Sequence, residues 1–169
     1  MNSLPKIEQP YNGANKSDTF RILLLDTDEH IQKLKAACKA AGHEVVPAPS
    51  IAAAMEFLER RDHVDVIISG THLENESVFD FLKRVKSEDM HKHVTFVMLA
   101  LEPGPTGIVL DTAAAMAGRF LGADHCITMT EFDAQSLIDQ LEKMLPPLPS
   151  KQTTAAPDVE HKASQVPTE

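Results

Sequence analysis

Short apolar runs alternate with helix-like patterns five times between residues 20 and 145, and this alternation limits the fold more than any other feature. The first run, RILLLD, is uninterrupted, as expected of a strand that is covered on both faces. Apolar residues then recur every three or four positions, which is typical of a helix packed along one side. The predicted strands are 21–26, 43–46, 64–69, 94–99 and 125–128, and the predicted helices lie within 31–41, 51–60, 78–85, 108–121 and 134–145.

Strands that alternate with helices predict an α/β fold built on a parallel sheet. Each helix carries the chain back across the sheet to the next strand, so the expected architecture is a doubly wound, five-stranded parallel sheet with five helices. Aromatic residues make up only 5% of the chain, so we expect an aliphatic core. The functional edge of such a sheet lies at the carboxyl ends of its strands.

The alternating region predicts one domain, 20–145, between two different segments. Residues 1–19 are rich in Asn, Pro, Ser and Gly without periodicity and are predicted to be a disordered lead. Residues 146–169 are predicted to be a disordered, Pro-rich tail whose PPLP start is either a stiff spacer or an extended recognition segment.

Charge and cysteine content narrow the class of protein. The net charge is −9, and residues 20–145 carry 12 basic and 20 acidic side chains, which argues against a nucleic-acid partner. The sequence offers no apolar run long enough for a membrane span and no apolar leader, so we expect a cytoplasmic protein. Cys38 and Cys126 are predicted to be buried free thiols.

Three segments lie at predicted strands: LLLDTDEH at the first strand, DVIISG at the third with the following VFDFLKRVK, and GADHCITM at the fifth. Together they resemble the receiver domain of bacterial response regulators. The resemblance covers residues 20 to about 145 and implies the CheY-like, flavodoxin-like receiver fold. It also implies a role in two-component signal transduction.

The same resemblance implies a phosphorylation pocket that this chain lacks. The family places an acidic pair, a phosphoacceptor aspartate, a hydroxyl, a lysine and an aromatic switch residue at the strand ends. Asp26 matches the first acid. The other positions hold Thr27, Gly70, Ala100 and Met129 in the pocket and Cys126 at the switch position. The resemblance therefore implies a pseudo-receiver that is not an enzyme and that needs no cofactor or metal.

The function expected of such a domain is phosphorylation-independent protein–protein interaction in a bacterial signalling or regulatory pathway. The expected partner is a histidine kinase, another receiver or a pathway component. A homodimer through the face of helix four, strand five and helix five is the other expectation. The candidate contact residues are Met116, Arg119 and Phe120 on helix four, with Pro103 and Pro105 in segment 101–111, which is predicted to be a shaped loop rather than a helix start.

Two alternatives belong to other functional classes. One is a small-molecule or nucleotide sensor that uses the vacated pocket, although TDEH stands where a dinucleotide fold has its Gly-rich loop. The other is an unconventional metal-dependent phosphoprotein that uses Asp26 with His72.

Overall fold

The computed structural model describes residues 19–146, in which five strands alternate with five helices. The strands are β1 (Arg21–Leu25), β2 (Glu44–Ala48), β3 (Val66–Gly70), β4 (Thr95–Leu101) and β5 (His125–Met129). The helices are α1 (Asp28–Ala40), α2 (Ile51–Glu59), α3 (Val78–Ser87), α4 (Pro105–Phe120) and α5 (Ala134–Met144).

The strands form one parallel sheet in the order β2-β1-β3-β4-β5. The order reverses between β1 and β3, so helices cover both faces, and the α/β fold predicted from the sequence is confirmed. Parallel pairing also brings the carboxyl ends of β1, β3, β4 and β5 to one edge, where a doubly wound sheet places its site.

The core is double because the central strands point side chains to both faces. Ile22 and Leu24 of β1 join a cluster with α1 and α5. Leu23 and Leu25 join a second cluster with α2 and α3. All four side chains are fully buried, which is why this strand is an unbroken apolar run.

Local signals set most helix starts. Oxygens of Thr27, Ser50, Ser77 and Asp133 accept hydrogen bonds from backbone N–H groups in the first turns of α1, α2, α3 and α5. Gly42 follows α1 with φ at +88°, a conformation that glycine adopts without strain.

The prediction for segment 101–111 was wrong. Leu101 ends β4, only Glu102 to Gly104 connect it to α4, and the helix begins at Pro105 rather than at Ile108. Proline suits the first turn of a helix because it lacks only an N–H that has no helical partner there. The cluster of Pro and Gly therefore marks a helix start.

Other predicted boundaries shift by one to three residues. The largest difference is at α1, which begins at Asp28 rather than at Ile31. Strand β2 begins at Glu44 and continues to Ala48, and β3 begins at Val66 and includes Gly70. Pro47 lies inside β2 because this strand is at the edge of the sheet, where a missing N–H costs no ladder bond.

No helix within residues 19–146 is long and apolar enough to cross a membrane. The predicted tail and its PPLP segment, apart from Pro146, lie outside the described residues, as does the predicted lead apart from Thr19.

Candidate functional site

The carboxyl edge of the sheet holds a pocket of about 300 Å³. Its walls come from the β1–α1 connection, from Pro49 before α2, and from the loop between β3 and α3. The residues that line it are Asp26, Thr27, Asp28, Pro49, Leu73, Glu74 and Glu76. Four of these are acidic and none is basic, so the pocket favours cations over anions.

Asp26 is the one acid that matches the receiver family, and its carboxylate is hydrogen-bonded to residues close to it in the sequence. Its side chain is only 4% exposed, and its Oδ1 accepts from the backbone N–H of Thr27 at 2.7 Å. The same oxygen accepts from Nδ1 of His30 at 2.9 Å. His30 was not predicted as a site residue, although its position four residues after Asp26 was an available signal.

The Asp26 carboxylate lies where a side chain at residue 70 would begin. A Cβ built on Gly70 would stand 2.7 Å from Cγ and Oδ2 of Asp26 and 2.9 Å from Oδ1. Real Cβ atoms do not approach other heavy atoms this closely. Residue 70 therefore has no free volume for a side chain while Asp26 keeps this position.

The remaining pocket positions of the resemblance carry no reactive group. Thr27 is the N-cap of α1, and its hydroxyl oxygen accepts from the N–H of His30. Ala100 is buried within β4, and Met129 is buried in the core cluster of α1 and α5.

Cys126, at the switch position, is half-buried rather than buried as predicted. Its Sγ donates to the carbonyl of Ala115 on α4 at 3.6 Å. Burial raises the pKa of the Cys126 thiol, while the nearby Arg119 guanidinium acts in the opposite direction. Cys126 therefore ties β5 to α4. Both cysteines are free, as predicted.

The two-residue metal site of Asp26 with His72 does not form. His72 donates from Nε2 to Oδ1 of Asp111 on α4 at 2.9 Å, whereas Asp26 pairs with His30. Glu76 accepts from the N–H of Ile51 at 3.0 Å, so this acid serves the start of α2. Across residues 19–146, no group of three or more potential ligands is arranged to hold a metal ion.

The outer surface of α4 is a second candidate for a functional site. Phe120 is 91% exposed and Met116 is 71% exposed. Arg119 and Pro105 are also exposed, and Pro103 is half-buried. Ile108, Val109 and Leu110 were not predicted as contact residues, and they are exposed too. We call the exposed side chains of Ile108, Val109, Leu110, Met116 and Phe120 the α4 apolar surface.

The sequence matches no protein-family model, and no curated protein matches it. Solved structures do match. The chemotaxis response regulator CheY4 of Vibrio cholerae superposes with a TM-score of 0.63 at 22% identity, covering 76% of this chain and 100% of that one. A response regulator receiver domain protein from Clostridium thermocellum gives 0.60 at 23% identity over 74% and 93% of the two chains. A response regulator from Thermotoga maritima gives 0.59 at 19% identity over 75% and 98%.

The chain has the receiver fold. Identities of 19–23% to these structures establish the architecture only, so the function of this receiver fold rests on its own residues. The superpositions cover 93–100% of the three matched chains.

Proposed function

We propose that this receiver-fold protein is a pseudo-receiver that regulates by protein–protein contact without being phosphorylated. One observation carries the proposal: the Asp26 carboxylate fills the space beside Gly70 where a phosphoacceptor side chain would stand. Receiver phosphorylation needs a carboxylate nucleophile at that place, and the strand end supplies a glycine.

The groups that would assist phosphoryl transfer are missing as well. Transfer requires positive charge beside the transferred phosphoryl group, from a metal ion or a lysine. Met129 supplies an apolar side chain at the lysine position, and Ala100 supplies no hydroxyl. Thr27 stands at the position of the second acid and caps α1 instead.

The negative charge of the residues that line the pocket argues against a nucleotide sensor. Asp26, Asp28, Glu74 and Glu76 all border the pocket, and a phosphate there would meet like charge. No feature of the pocket favours an uncharged small molecule either. The metal-dependent phosphoprotein is disfavoured because Asp26 and His72 each bond a different partner.

The α4 apolar surface is the proposed contact region. All five large apolar side chains of α4 are exposed, and in a soluble protein such a patch marks an interaction site. Val109, Ala113, Met116 and Phe120 follow one another at spacings of three or four residues, so they share one side of the helix.

We assign a second copy of this chain as the occupant of this surface. Residues 20–145 carry a net charge of −8, so two copies repel each other over most of their surface. The outer surface of α4 does not share this negative charge, because Arg119 is its one exposed charged residue and Asp111 is buried. Ala113 and Ala117 are small, which lets two α4 helices approach closely. A histidine kinase or another receiver is the competing occupant.

Incubation with acetyl phosphate and Mg²⁺ tests the loss of phosphorylation. We expect intact-protein mass spectrometry to show no gain of a phosphoryl group, while a receiver domain with an aspartate at the corresponding place gains one in the same reaction. An acid-labile phosphoryl adduct, or any other phosphoryl adduct on this chain, would contradict the proposal.

Sedimentation equilibrium across a concentration series tests whether a second copy of this chain binds the α4 apolar surface. We expect wild type to associate and Phe120→Glu and Met116→Glu to weaken association at least about tenfold, because burying one large apolar side chain contributes about 1.5–3 kcal/mol. Met90→Glu is the matched control, since Met90 is also an exposed apolar residue but lies outside α4.

Wild type that stays monomeric at the highest concentration excludes the second copy as occupant. Capture of a histidine kinase or another receiver that is lost in Phe120→Glu and kept in Met90→Glu would then assign the surface to that partner.

A further inference from the structure

The inward side of α4 has no large apolar anchor. The residues of α4 that are buried or half-buried are Gly107, Asp111, Ala114, Ala115 and Gly118. Only Asp111 and Gly118 are buried. Gly104, the N-cap residue of the helix, also offers no side-chain cap. Its amino-terminal half is therefore held by a polar contact rather than by apolar packing.

That contact joins Asp111 to the loop that follows β3. Asp111 is 2% exposed, and its Oδ1 accepts from Nε2 of His72 at 2.9 Å and from the hydroxyl of Thr71 at 3.3 Å. His72 is the one ion-pair partner of Asp111 among the described residues. The contact bridges two elements 39 positions apart in the sequence.

The contact is incompletely satisfied. Oδ2 of Asp111 is buried and has no hydrogen-bond partner within residues 19–146. A buried carboxylate oxygen without a partner is costly, and a carboxylate is tolerated in the interior only when it is paired. The docked position of α4 therefore depends strongly on His72.

His72 lies in a loop that also borders the strand-end pocket. Leu73, Glu74 and Glu76 of this loop line the pocket, and Asn75 beside them has φ at +56°, a left-handed conformation that asparagine adopts more readily than most residues other than glycine. A shift of this loop moves His72 relative to Asp111. The loop thus connects the pocket with α4.

We propose that the His72–Asp111 contact is a latch that couples the loop between β3 and α3 to the docking of α4, and so sets the position of the α4 apolar surface. Its link to partner binding rests on the proposed function. The latch itself is a property of the single chain and is tested without a partner.

Hydrogen–deuterium exchange of the dilute, monomeric full-length protein tests the latch. In His72→Ala the Asp111 carboxylate loses the hydrogen bond from Nε2 of His72. We expect amides in the amino-terminal half of α4 to exchange at least tenfold faster, with no change in β3 and β4. His72→Ala with Asp111→Asn removes the buried charge, so we expect exchange to return to within about threefold of wild type. His93→Ala is the control, because His93 is exposed and belongs to neither the loop nor α4.

Unchanged exchange of α4 in His72→Ala would overturn the latch. Equal acceleration in α4, β3 and β4 would also overturn it, because the contact would then stabilise the whole domain only. Failure of Asp111→Asn to suppress the effect of His72→Ala would overturn the latch too, because the loosening of α4 would then not arise from the Asp111 carboxylate. If wild type does not self-associate, the exchange result stands unaffected, so the two proposals fail independently.

Discussion

Replacing Gly70 with alanine tests the arrangement on which the proposed function depends. The new Cβ would lie 2.7 Å from Cγ and Oδ2 of Asp26, so the carboxylate has to move. Moving it breaks the hydrogen bonds from the Thr27 N–H and from His30. A hydrogen bond to a charged acceptor contributes about 1.5–3 kcal/mol, and the adjoining pocket lets water replace part of that loss.

We therefore expect Gly70→Ala to lower the free energy of unfolding by about 2–3 kcal/mol. This figure allows for the about 0.4–1 kcal/mol that alanine gains over glycine by restricting the unfolded chain. In an Asp26→Ala background the obstructing carboxylate is gone, so the same substitution should be neutral or stabilise by up to about 1 kcal/mol. We thus expect Gly70→Ala to destabilise the wild-type protein but not the Asp26→Ala variant.

Urea denaturation followed by circular dichroism, on wild type, both single variants and the double variant, measures this coupling. Gly104→Ala is the matched control, because a methyl group there meets open space and weakens only the cap of α4, by at most about 1 kcal/mol. A Gly70→Ala cost below about 0.5 kcal/mol, or an equal cost with and without Asp26, would refute the reasoning.

The other predictions concern titratable groups. Burial lowers the pKa of His43 below its ordinary value of 6.5, so the folded state binds fewer protons than the unfolded state. The contribution of His43 to stability is complete above pH 6.5 and is lost as the pH drops through the folded-state pKa. Wild type should therefore lose more free energy of unfolding between pH 7.5 and 5.5 than His43→Phe does. Equal losses in the two proteins would contradict this. Burial raises the pKa of Cys38 to about 11, so only about one thiol in a thousand is ionised at pH 8. Iodoacetamide should modify half-buried Cys126 first and Cys38 only after unfolding, as mass spectrometry of the native and denatured protein would show; modification of native Cys38 at the rate of Cys126 would contradict it.

Most of the fold could be predicted because its signals are local. The unbroken run in β1 and the spacing of Val78, Phe81, Leu82 and Val85 in α3 correspond to residues that are buried in the structure. Boundaries were less certain because a proline or glycine suits either a loop or an element end. Pro105 starts α4, and Gly70 ends β3 inside the sheet.

The candidate site was predictable in part. Position along the chain relative to the strand ends was enough to single out Asp26 and Gly70. The sequence does not reveal that the Asp26 carboxylate occupies the space beside Gly70, because this depends on the rotamer of Asp26 and on the register of the two strands. His72 was assigned to the wrong partner, since Asp111 lies 39 positions away and approaches only when α4 packs on the sheet.

The sequence by itself determined the alternation of strands and helices and the identity of the residues at each strand end, because both follow from local periodicity and order. Tertiary structure alone decided which side of α4 faces water. Its apolar residues are on both sides of the helix, so the pattern predicts no inward face. Close packing against the sheet admits only small residues, as at Gly118, where a Cβ would collide with the sulfur of Met98. The large side chains are therefore left outside, where the proposed contact surface lies.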